Sequence, residues 1–147
     1  MENLRALLPD FKIDSESFWS AIDEQRLELS RCESCKHLFF YPRIVCPNCG
    51  AQSIVTIVSK GFGVIHSFTH VHFSPRGNFW EEDVPYTVAL VDLDEGPRLL
   101  SRLVGDDCVH VEIGDAVQVE FPLIENSQHR LPVFRRFSET TDGGGMA

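Results

Sequence analysis

Residues Cys32 to Gly50 read CESCKHLFFYPRIVCPNCG, and the spacing of their cysteines predicts the fold of the first third of this chain. It contains two pairs of cysteines, Cys32 with Cys35 and Cys46 with Cys49, and two residues separate the members of each pair. Two such knuckles, brought together by a hairpin, place four thiolates around one ion at about 2.3 Å from each sulfur. Because four protein ligands leave no position for water, we expect a zinc ribbon in which Zn²⁺ is structural.

Other readings of the cysteines remain open at this point. A rubredoxin-like iron centre uses the same four ligands, and a ribbon can also be vestigial and empty. Nothing in the sequence indicates electron transfer, and a disulfide pair needs only one knuckle, so zinc is favoured. The fifth cysteine, Cys108, follows Asp106 and Asp107. These acids disfavour the thiolate that a nucleophile needs, so we interpret Cys108 as an incidental free thiol.

Composition and charge exclude several classes of protein. The chain has 147 residues, of which 43% are hydrophobic, with 13 Lys and Arg against 22 Asp and Glu for a net charge of −9. The hydrophobic fraction is that of an ordinary globular protein. The negative charge disfavours a conventional DNA-binding module, whose phosphate contacts need clustered Lys and Arg. No apolar run has the length of a signal peptide or a bilayer span, so we expect a cytoplasmic protein with no membrane partner. In a reducing compartment, spaced cysteines are typically metal ligands.

The rest of the sequence predicts a mainly β chain with one N-terminal helix. Helical spacing of Phe18, Trp19 and Ile22 predicts a helix over 14–25, and alternation predicts a strand over 26–31. Short β-like runs separated by turn signals follow at 53–59, 63–73, 86–93, 98–104, 116–121 and 133–137. We therefore predict three segments: an N-terminal helix and four-cysteine zinc ribbon at 14–52, a small OB-fold β-barrel at 53–137, and a disordered tail at 138–147.

An OB-fold raises the possibility of a module that binds single-stranded nucleic acid. That function uses basic grooves and stacked aromatic rings. The acidity lies mostly in the barrel, because the first 59 residues hold eight acids and six bases whereas the remainder holds fourteen and seven. Nucleic-acid binding is therefore kept as an alternative function but disfavoured, and no nucleic-acid partner is predicted.

Three histidines at even spacing, His66, His70 and His72, invite a second metal site. A regular strand would place all three on one face. No carboxylate or further ligand is near them in sequence, so we interpret them as surface or interface histidines.

Motifs in both halves of the chain resemble the DUF35 family in their order. They are Phe18-Trp19, Arg31-Cys32-x-x-Cys35, Tyr41-Pro42-Arg43, Cys46-Pro47-x-Cys49-Gly50, Gly61-x-Gly63, Pro85-Tyr86, Glu95-Gly96-Pro97-Arg98 and Ile113-Gly114-x-x-Val117. The resemblance covers about Ser15 to Phe137. The sequence departs from the family at Lys36, where glycine is usual after the first knuckle, and at Tyr41, where proline is common; neither residue is a metal ligand.

The resemblance implies a non-catalytic subunit of an acyl-CoA-processing complex. Members of the family have a rubredoxin-like zinc ribbon and an OB-fold, and they associate with thiolase-superfamily acyltransferases or with lipid-transfer-protein-like aldolases. The resemblance therefore implies a thiolase-like partner, with an acyl-CoA aldolase as the alternative. It also implies a role in assembly and in binding or channelling the acyl-CoA or its intermediate.

No catalytic residue is predicted for this chain, and a few positions are candidates for contact. Tyr41 and Arg43 lie in the most basic part of the sequence and are candidates for contact with CoA phosphates or pantetheine. Aromatic side chains anchor interfaces, which makes Trp19 in the helix a candidate partner contact, as are Phe79 and Trp80 in the loop 74–84.

Overall fold

The computed structural model describes residues 8–10, 12–73 and 83–137. It is mainly β, with one short helix, as the sequence predicts. The elements are α1 (Glu16–Asp23), β1 (Glu28–Cys32), β2 (Leu38–Phe39), β3 (Ile54–Val58), β4 (Phe62–Val71), β5 (Tyr86–Leu93), β6 (Arg98–Val104), β7 (Ala116–Glu120) and β8 (Val133–Arg136). The sequence predicted each of these except β2, which is only two residues long.

Helix α1 is amphipathic and begins after Ser15. Phe18, Ala21 and Ile22 are buried, and Phe18 and Ile22 join the same core cluster as Leu27 and Leu29 around β1. The helix ends before Gln25, which adopts a left-handed backbone with φ of 63°. Because an eight-residue helix is marginal in water, its packed apolar face is what holds it in place.

Strands β2, β1 and β3 form a three-stranded antiparallel sheet in that order, which belongs to the ribbon. This corrects the sequence-based assignment of the run 53–59 to the barrel, because Ile57 pairs with Leu29 and Val55 pairs with Arg31. The alternation of apolar residues identifies a strand but does not identify its neighbour. The pairing with β1 could therefore not be deduced from the run itself.

The other five strands form a closed barrel in the order β4-β5-β6-β8-β7. All neighbours are antiparallel except β6 and β8, and pairing of β4 with β7 closes the barrel. A five-stranded Greek-key barrel is the architecture of an OB-fold, as predicted. Its interior is lined by buried aliphatic and aromatic side chains, among them Ile65, Val91, Leu99, Leu103, Val117 and Phe134.

A β-bulge in β4 separates the histidines that a regular strand would place together. Ile65 pairs with Val91, but Ser67 pairs with Leu90, so His66 is the extra residue. An extra residue reverses the alternation beyond it. His66 is exposed on the outside, whereas His70 pairs with the fully buried Thr87. The expectation of one shared histidine face is therefore wrong.

Within the described ranges, no helix has both the length and the apolarity needed to cross a bilayer.

Candidate metal centre and adjoining apolar groove

The four cysteines of the two knuckles converge at one point in the ribbon. Their sulfur atoms all lie within 4.8 Å of one another, with 3.6 Å between Cys32 and Cys49 and 3.6 Å between Cys35 and Cys46. Tetrahedral bonds of about 2.3 Å place sulfurs roughly 3.8 Å apart, so the spacing fits one four-coordinate ion. Cys32 and Cys46 are buried, so one cysteine of each knuckle lies in the interior of the ribbon.

The two knuckles have the same backbone geometry. The Lys36 N–H donates to the Cys32 carbonyl at 2.9 Å, and the Gly50 N–H donates to the Cys46 carbonyl at 3.0 Å. Both turn residues are left-handed, with φ of 64° at Lys36 and 78° at Gly50. This region is unstrained for glycine but costs energy for other residues. Lys36 therefore adopts the conformation that its knuckle requires, despite its side chain.

Hydrogen bonds and crowding give the thiols different acidities. The Asn48 side-chain amide, 3.5 Å from Cys35 Sγ, lowers the pKa of Cys35 to about 6. The backbone N–H of Ala51 lowers the pKa of Cys49, but the neighbouring sulfurs, that of Cys32 above all, together with partial desolvation outweigh it and raise that pKa to about 12. Four thiolates this close to one another repel, so all four cysteines cannot lose their protons without a nearby cation. A bound divalent cation supplies the charge that four thiolates need.

An apolar groove of about 480 Å³ lies beside the ribbon, between α1 and the barrel. Trp19 and Phe40 line the ribbon side, and Leu100 lines the barrel side with 59% of its surface exposed. The full lining is Ser15, Phe18, Trp19, Phe40, Tyr41, Pro42, Tyr86, Leu99, Leu100, Ser101, Arg102, Leu131, Pro132 and Val133.

One guanidinium interrupts this apolar wall. Arg102 lies over the ring of Tyr86, 4.9 Å from its centroid, and its Nε is buried without a hydrogen-bond partner in the described part of the chain. The cation–π contact stabilises the charge at the edge of the groove. The groove is therefore a mostly apolar surface with a single positive group.

The groove continues into a loop with large exposed apolar side chains. Tyr41 is 57% exposed, Ile44 is 74% exposed and Val45 is 38% exposed. Large apolar side chains exposed side by side are typical of binding surfaces.

A second cavity of about 270 Å³ opens on the other side of Tyr41, and Arg43 lines it. Arg98, from the start of β6, lines the same cavity, but its Nε donates to Asp92 at 2.6 Å. Arg43 is exposed, and no described carboxylate forms an ion pair with it. The structure therefore places Tyr41 and Arg43 together, with the Arg43 guanidinium accessible.

The predicted partner contacts have different outcomes. Trp19 is half-buried, packs edge-on against Phe18 with 5.1 Å between ring centroids, and lines the groove. Phe79 and Trp80 lie outside the described residues. Trp19, Tyr41 and Arg43 remain predictions as contact residues.

Other polar groups of the barrel are held by local partners. The Thr87 hydroxyl donates to the Cys108 carbonyl at 2.9 Å, so His70 Nδ1, 2.7 Å from that hydroxyl oxygen, acts as the donor. His66 Nδ1 lies 3.3 Å from Asp92. In the described ranges, the cysteine cluster is the only group of three or more side chains placed to hold a metal.

Sequence reasoning did not find several residues of the groove. Leu100, Arg102 and Pro132 come from two parts of the barrel that are distant in sequence, and Phe40 adjoins the short strand β2. An exposed leucine in an alternating strand gives no signal of its own. The groove is a product of packing between the ribbon and the barrel.

Family models match both halves of the chain. A model described as the ChsH2 rubredoxin-like zinc ribbon domain matches residues 19–55, and one described as the ChsH2 C-terminal OB-fold domain matches residues 57–122.

Several known proteins are similar over most of this chain. A DUF35 domain-containing scaffold protein of Methanothermobacter thermautotrophicus is 36% identical over 70% of this chain and 77% of its own length. A probable enoyl-CoA hydratase alpha subunit of Thermomonospora curvata is 38% identical over 89% of this chain, which spans only 40% of that subunit. A solved chain of the Ltp2-ChsH2(DUF35) aldolase has a TM-score of 0.76 and 36% identity, covering 88% of this chain and 98% of that one.

Proposed function

Because the chain belongs to the DUF35 family of zinc-ribbon and OB-fold proteins, we propose that it is a non-catalytic subunit of an enzyme complex that acts on CoA thioesters. The observation that carries the proposal is the apolar groove between α1 and the barrel, which adjoins the metal-bearing ribbon. A relative of which this chain covers 77% is named a scaffold protein, which supports a role in assembly.

The ion in the ribbon is Zn²⁺. The four sulfurs have the spacing of a closed tetrahedral site, and no position remains for water or substrate. Cys32, Cys35, Cys46 and Cys49 hold the ion, and zinc supplies the cross-link between the two knuckles. β2 has only two residues and, among the described strands, pairs only with β1. The zinc cross-link is therefore what holds the loop 40–45 beside the groove.

The partner enzyme docks on the groove through apolar side chains. Leu100 and Tyr41 are each more than half exposed, and both line it. An aromatic or aliphatic anchor of the partner would fill a cavity of this size and remove that surface from water. Trp19 forms part of the wall that such an anchor contacts.

An aldolase is the favoured partner reaction. A solved chain that this one covers almost completely is named for an aldolase, which supports an aldolase partner over the thiolase that the family resemblance placed first. A hydratase partner is the second candidate, because a relative is named a hydratase alpha subunit. The chain spans only 40% of that relative. The support for a hydratase partner is therefore weaker than the support for an aldolase partner.

The CoA part of the substrate contacts the cavity beside the ribbon. Arg43 offers a guanidinium without a carboxylate partner among the described residues, and Tyr41 offers an exposed ring. Guanidinium groups bind phosphate through charge-assisted hydrogen bonds, so we assign the binding of a CoA phosphate to Arg43. Tyr41 also lines the apolar groove, so the acyl part of the substrate would extend from this cavity toward the boundary between this chain and the docked partner.

Nucleic-acid binding is the weaker alternative because several bases of the barrel are already paired. Arg98 pairs with Asp92, Arg135 pairs with Glu120, and Arg136 lies 3.3 Å from Asp115. Paired arginines do not form the open basic groove that a single strand needs.

Capture of the complex from the source cell tests the proposal. A tagged chain is purified at native expression levels, co-purifying proteins are identified by mass spectrometry, and the eluate is assayed for aldol cleavage, thiolysis and hydration of CoA thioesters. We expect a stoichiometric enzyme with the aldolase activity. A chain that elutes without any CoA-thioester enzyme contradicts the proposal, and a hydratase or thiolase in its place corrects the partner.

A further inference from the structure

The outer edge of the ribbon sheet is a strand whose pattern of residue types is symmetric about its centre. Ser53–Ser59 is SIVTIVS, in which a serine and two β-branched aliphatic residues flank Thr56 on each side. Within the described residues, β3 pairs with β1 on one side only, so its other edge is open. We propose that this edge pairs antiparallel with the same strand of a second copy, on a two-fold axis through Thr56.

The register of the sheet shows which backbone groups face outward. The Ser59 N–H donates to the Leu27 carbonyl at 2.8 Å, and the Glu33 N–H donates to the Ser53 carbonyl at 2.9 Å. Hydrogen-bonded pairs alternate along an antiparallel ladder, so residues 53, 55, 57 and 59 bond to β1. The backbone groups of Ile54, Thr56 and Val58 therefore point away from the sheet.

These outward groups match a two-fold pairing. Thr56 of one copy exchanges both backbone bonds with Thr56 of the other. Each Val58 N–H donates to the Ile54 carbonyl of the second copy, since the Ile54 N–H is already bonded to the Gln52 carbonyl at 3.0 Å. The side-chain pairs are Val55 with Ile57 and Ile54 with Val58, all β-branched, which pack well on a pleated surface.

The edge lacks the usual features that prevent such pairing. Natural edge strands carry lysine, proline or a bulge. β3 has no charged residue and no proline, and its register with β1 is continuous. Val55 is 36% exposed and Val58 is 57% exposed, so apolar surface remains for a partner to cover.

Charge and symmetry favour a second copy as the occupant. Two chains of net charge −9 repel each other, but the acidity is concentrated after residue 59, where fourteen acids face seven bases. Residues 26–50 hold two more bases than acids, and this surplus offsets the net negative charge of a Zn²⁺ ion bound by four thiolates. The ribbon is therefore close to neutral, and contact through its edge adds little repulsion. A strand that complements itself also fits the isologous contact of a two-fold dimer.

The size of the contact sets its strength. Stable interfaces bury about 1,600 Å² in total, and a pair of five-residue strands buries less. We therefore expect a weak dimer that dissociates on dilution from about 1 mM to about 10 µM. This contact is independent of the enzyme partner, which uses the groove.

Sedimentation velocity of the full chain over that range tests the proposal. We expect a mass that rises from 16.6 kDa toward twice that value with concentration. Thr56→Lys places two like charges on the axis and abolishes the dimer, as does Thr56→Glu, while an equimolar mixture of these variants restores it. Gln118→Lys, an equal charge change on a barrel strand paired on both sides, leaves the dimer unchanged. A wild-type chain that stays monomeric at 1 mM overturns the proposal, as does a folded Thr56→Lys chain that still dimerises.

Amide hydrogen exchange of the wild-type chain gives a test that needs no variant. Exchange at Thr56 and Val58 slows at high concentration, whereas exchange at Ile57, already bonded to β1, does not change. Equal rates for Thr56 at both concentrations contradict the pairing.

Discussion

The Asp23 carboxylate, at the end of α1, lies 2.8 Å from Nδ1 of His129, in the connection between β7 and β8 of the barrel, across 106 residues of sequence. Its other oxygen accepts the Arg130 backbone N–H at 2.9 Å. These contacts hold the helix beside the strands that form the other wall of the groove. The groove therefore depends on a polar attachment as well as on apolar packing.

Loss of that attachment is expected to destabilise the fold. Asp23→Ala removes the carboxylate that accepts from the Arg130 N–H and from His129 Nδ1. The loss of a typical hydrogen bond lowers the unfolding free energy by about 0.5–1.5 kcal/mol, so we expect a loss of about 1–2 kcal/mol. Urea denaturation followed by circular dichroism measures the change. Asp14→Ala, at an exposed position before the helix, is the matched control and changes stability by less than about 0.5 kcal/mol. Equal stabilities of the two variants contradict the role of Asp23.

Neighbouring leucines of β6 separate stability from docking. Leu99 is 2% exposed and Leu100 is 59% exposed. Leu99→Ala leaves a cavity in the barrel and costs about 2–5 kcal/mol, whereas Leu100→Ala changes the unfolding free energy by at most about 0.5 kcal/mol. Thermal and urea denaturation measure both.

The same pair tests the docking surface. We expect Leu100→Ala to reduce capture of the partner enzyme from cell extract, at wild-type stability, because it removes apolar surface from the groove. Capture by Leu100→Ala at the wild-type level would place the partner on another surface.

Removal of one metal ligand is expected to disrupt the ribbon. Cys46→Ser leaves three thiolates, and structural zinc in zinc-finger peptides contributes about 10–16 kcal/mol of folding free energy at neutral pH. Metal content should fall from one equivalent to none, and the partner should dissociate. Cys108→Ser, outside the cluster, retains the metal. A Cys46→Ser chain that keeps its ribbon and its complex without metal would make the site dispensable.

The ion pair of Asp92 and Arg98 predicts a pH dependence of stability. The hydrogen bond from Arg98 lowers the pKa of Asp92, and the charges of Arg98 and His66 lower it further. A folded-state pKa below the unfolded value of about 3.9 gives stability that is present above that pH and lost as pH falls through the folded pKa.

Arg98→Gln should therefore lower the unfolding free energy relative to the wild-type chain at pH 7. Below the folded-state pKa of Asp92, the difference between the two chains should become small. Arg43→Gln, which removes a guanidinium without a described carboxylate partner, should give no such pH dependence. NMR titration of the Asp92 carboxyl measures the shift directly, and an unchanged Asp92 pKa in Arg98→Gln contradicts the assignment.

Arg43 is expected to bind a CoA phosphate. Loss of a charged hydrogen bond costs about 1.5–3 kcal/mol, so Arg43→Gln should weaken CoA binding roughly ten-fold or more. Lys60→Gln removes the same charge from a residue that does not line that cavity. Isothermal titration of the captured complex with CoA measures both, and equal affinities for the two variants would remove Arg43 from the site.

The sequence predicted the cysteine cluster, the zinc ribbon and the β-barrel, because each of them follows from the local spacing of residues. Two pairs of cysteines, each at two-residue spacing, favour paired knuckles around one ion, and apolar alternation identifies strands such as β5 directly. Pairing and packing depend on residues far apart in the chain. The sequence therefore could not assign β3 to β1, show the bulge at His66, or bring Leu100 to the same groove as Trp19.

The molar mass and composition of the native complex show whether this chain is a subunit of an enzyme that acts on CoA thioesters. Native mass spectrometry of the tagged chain, purified at its natural expression level, should give a mass equal to whole copies of this 16.6 kDa chain plus whole copies of an enzyme that cleaves or forms a bond in a CoA thioester. The mass of this chain alone, as a monomer or a dimer, would contradict the account.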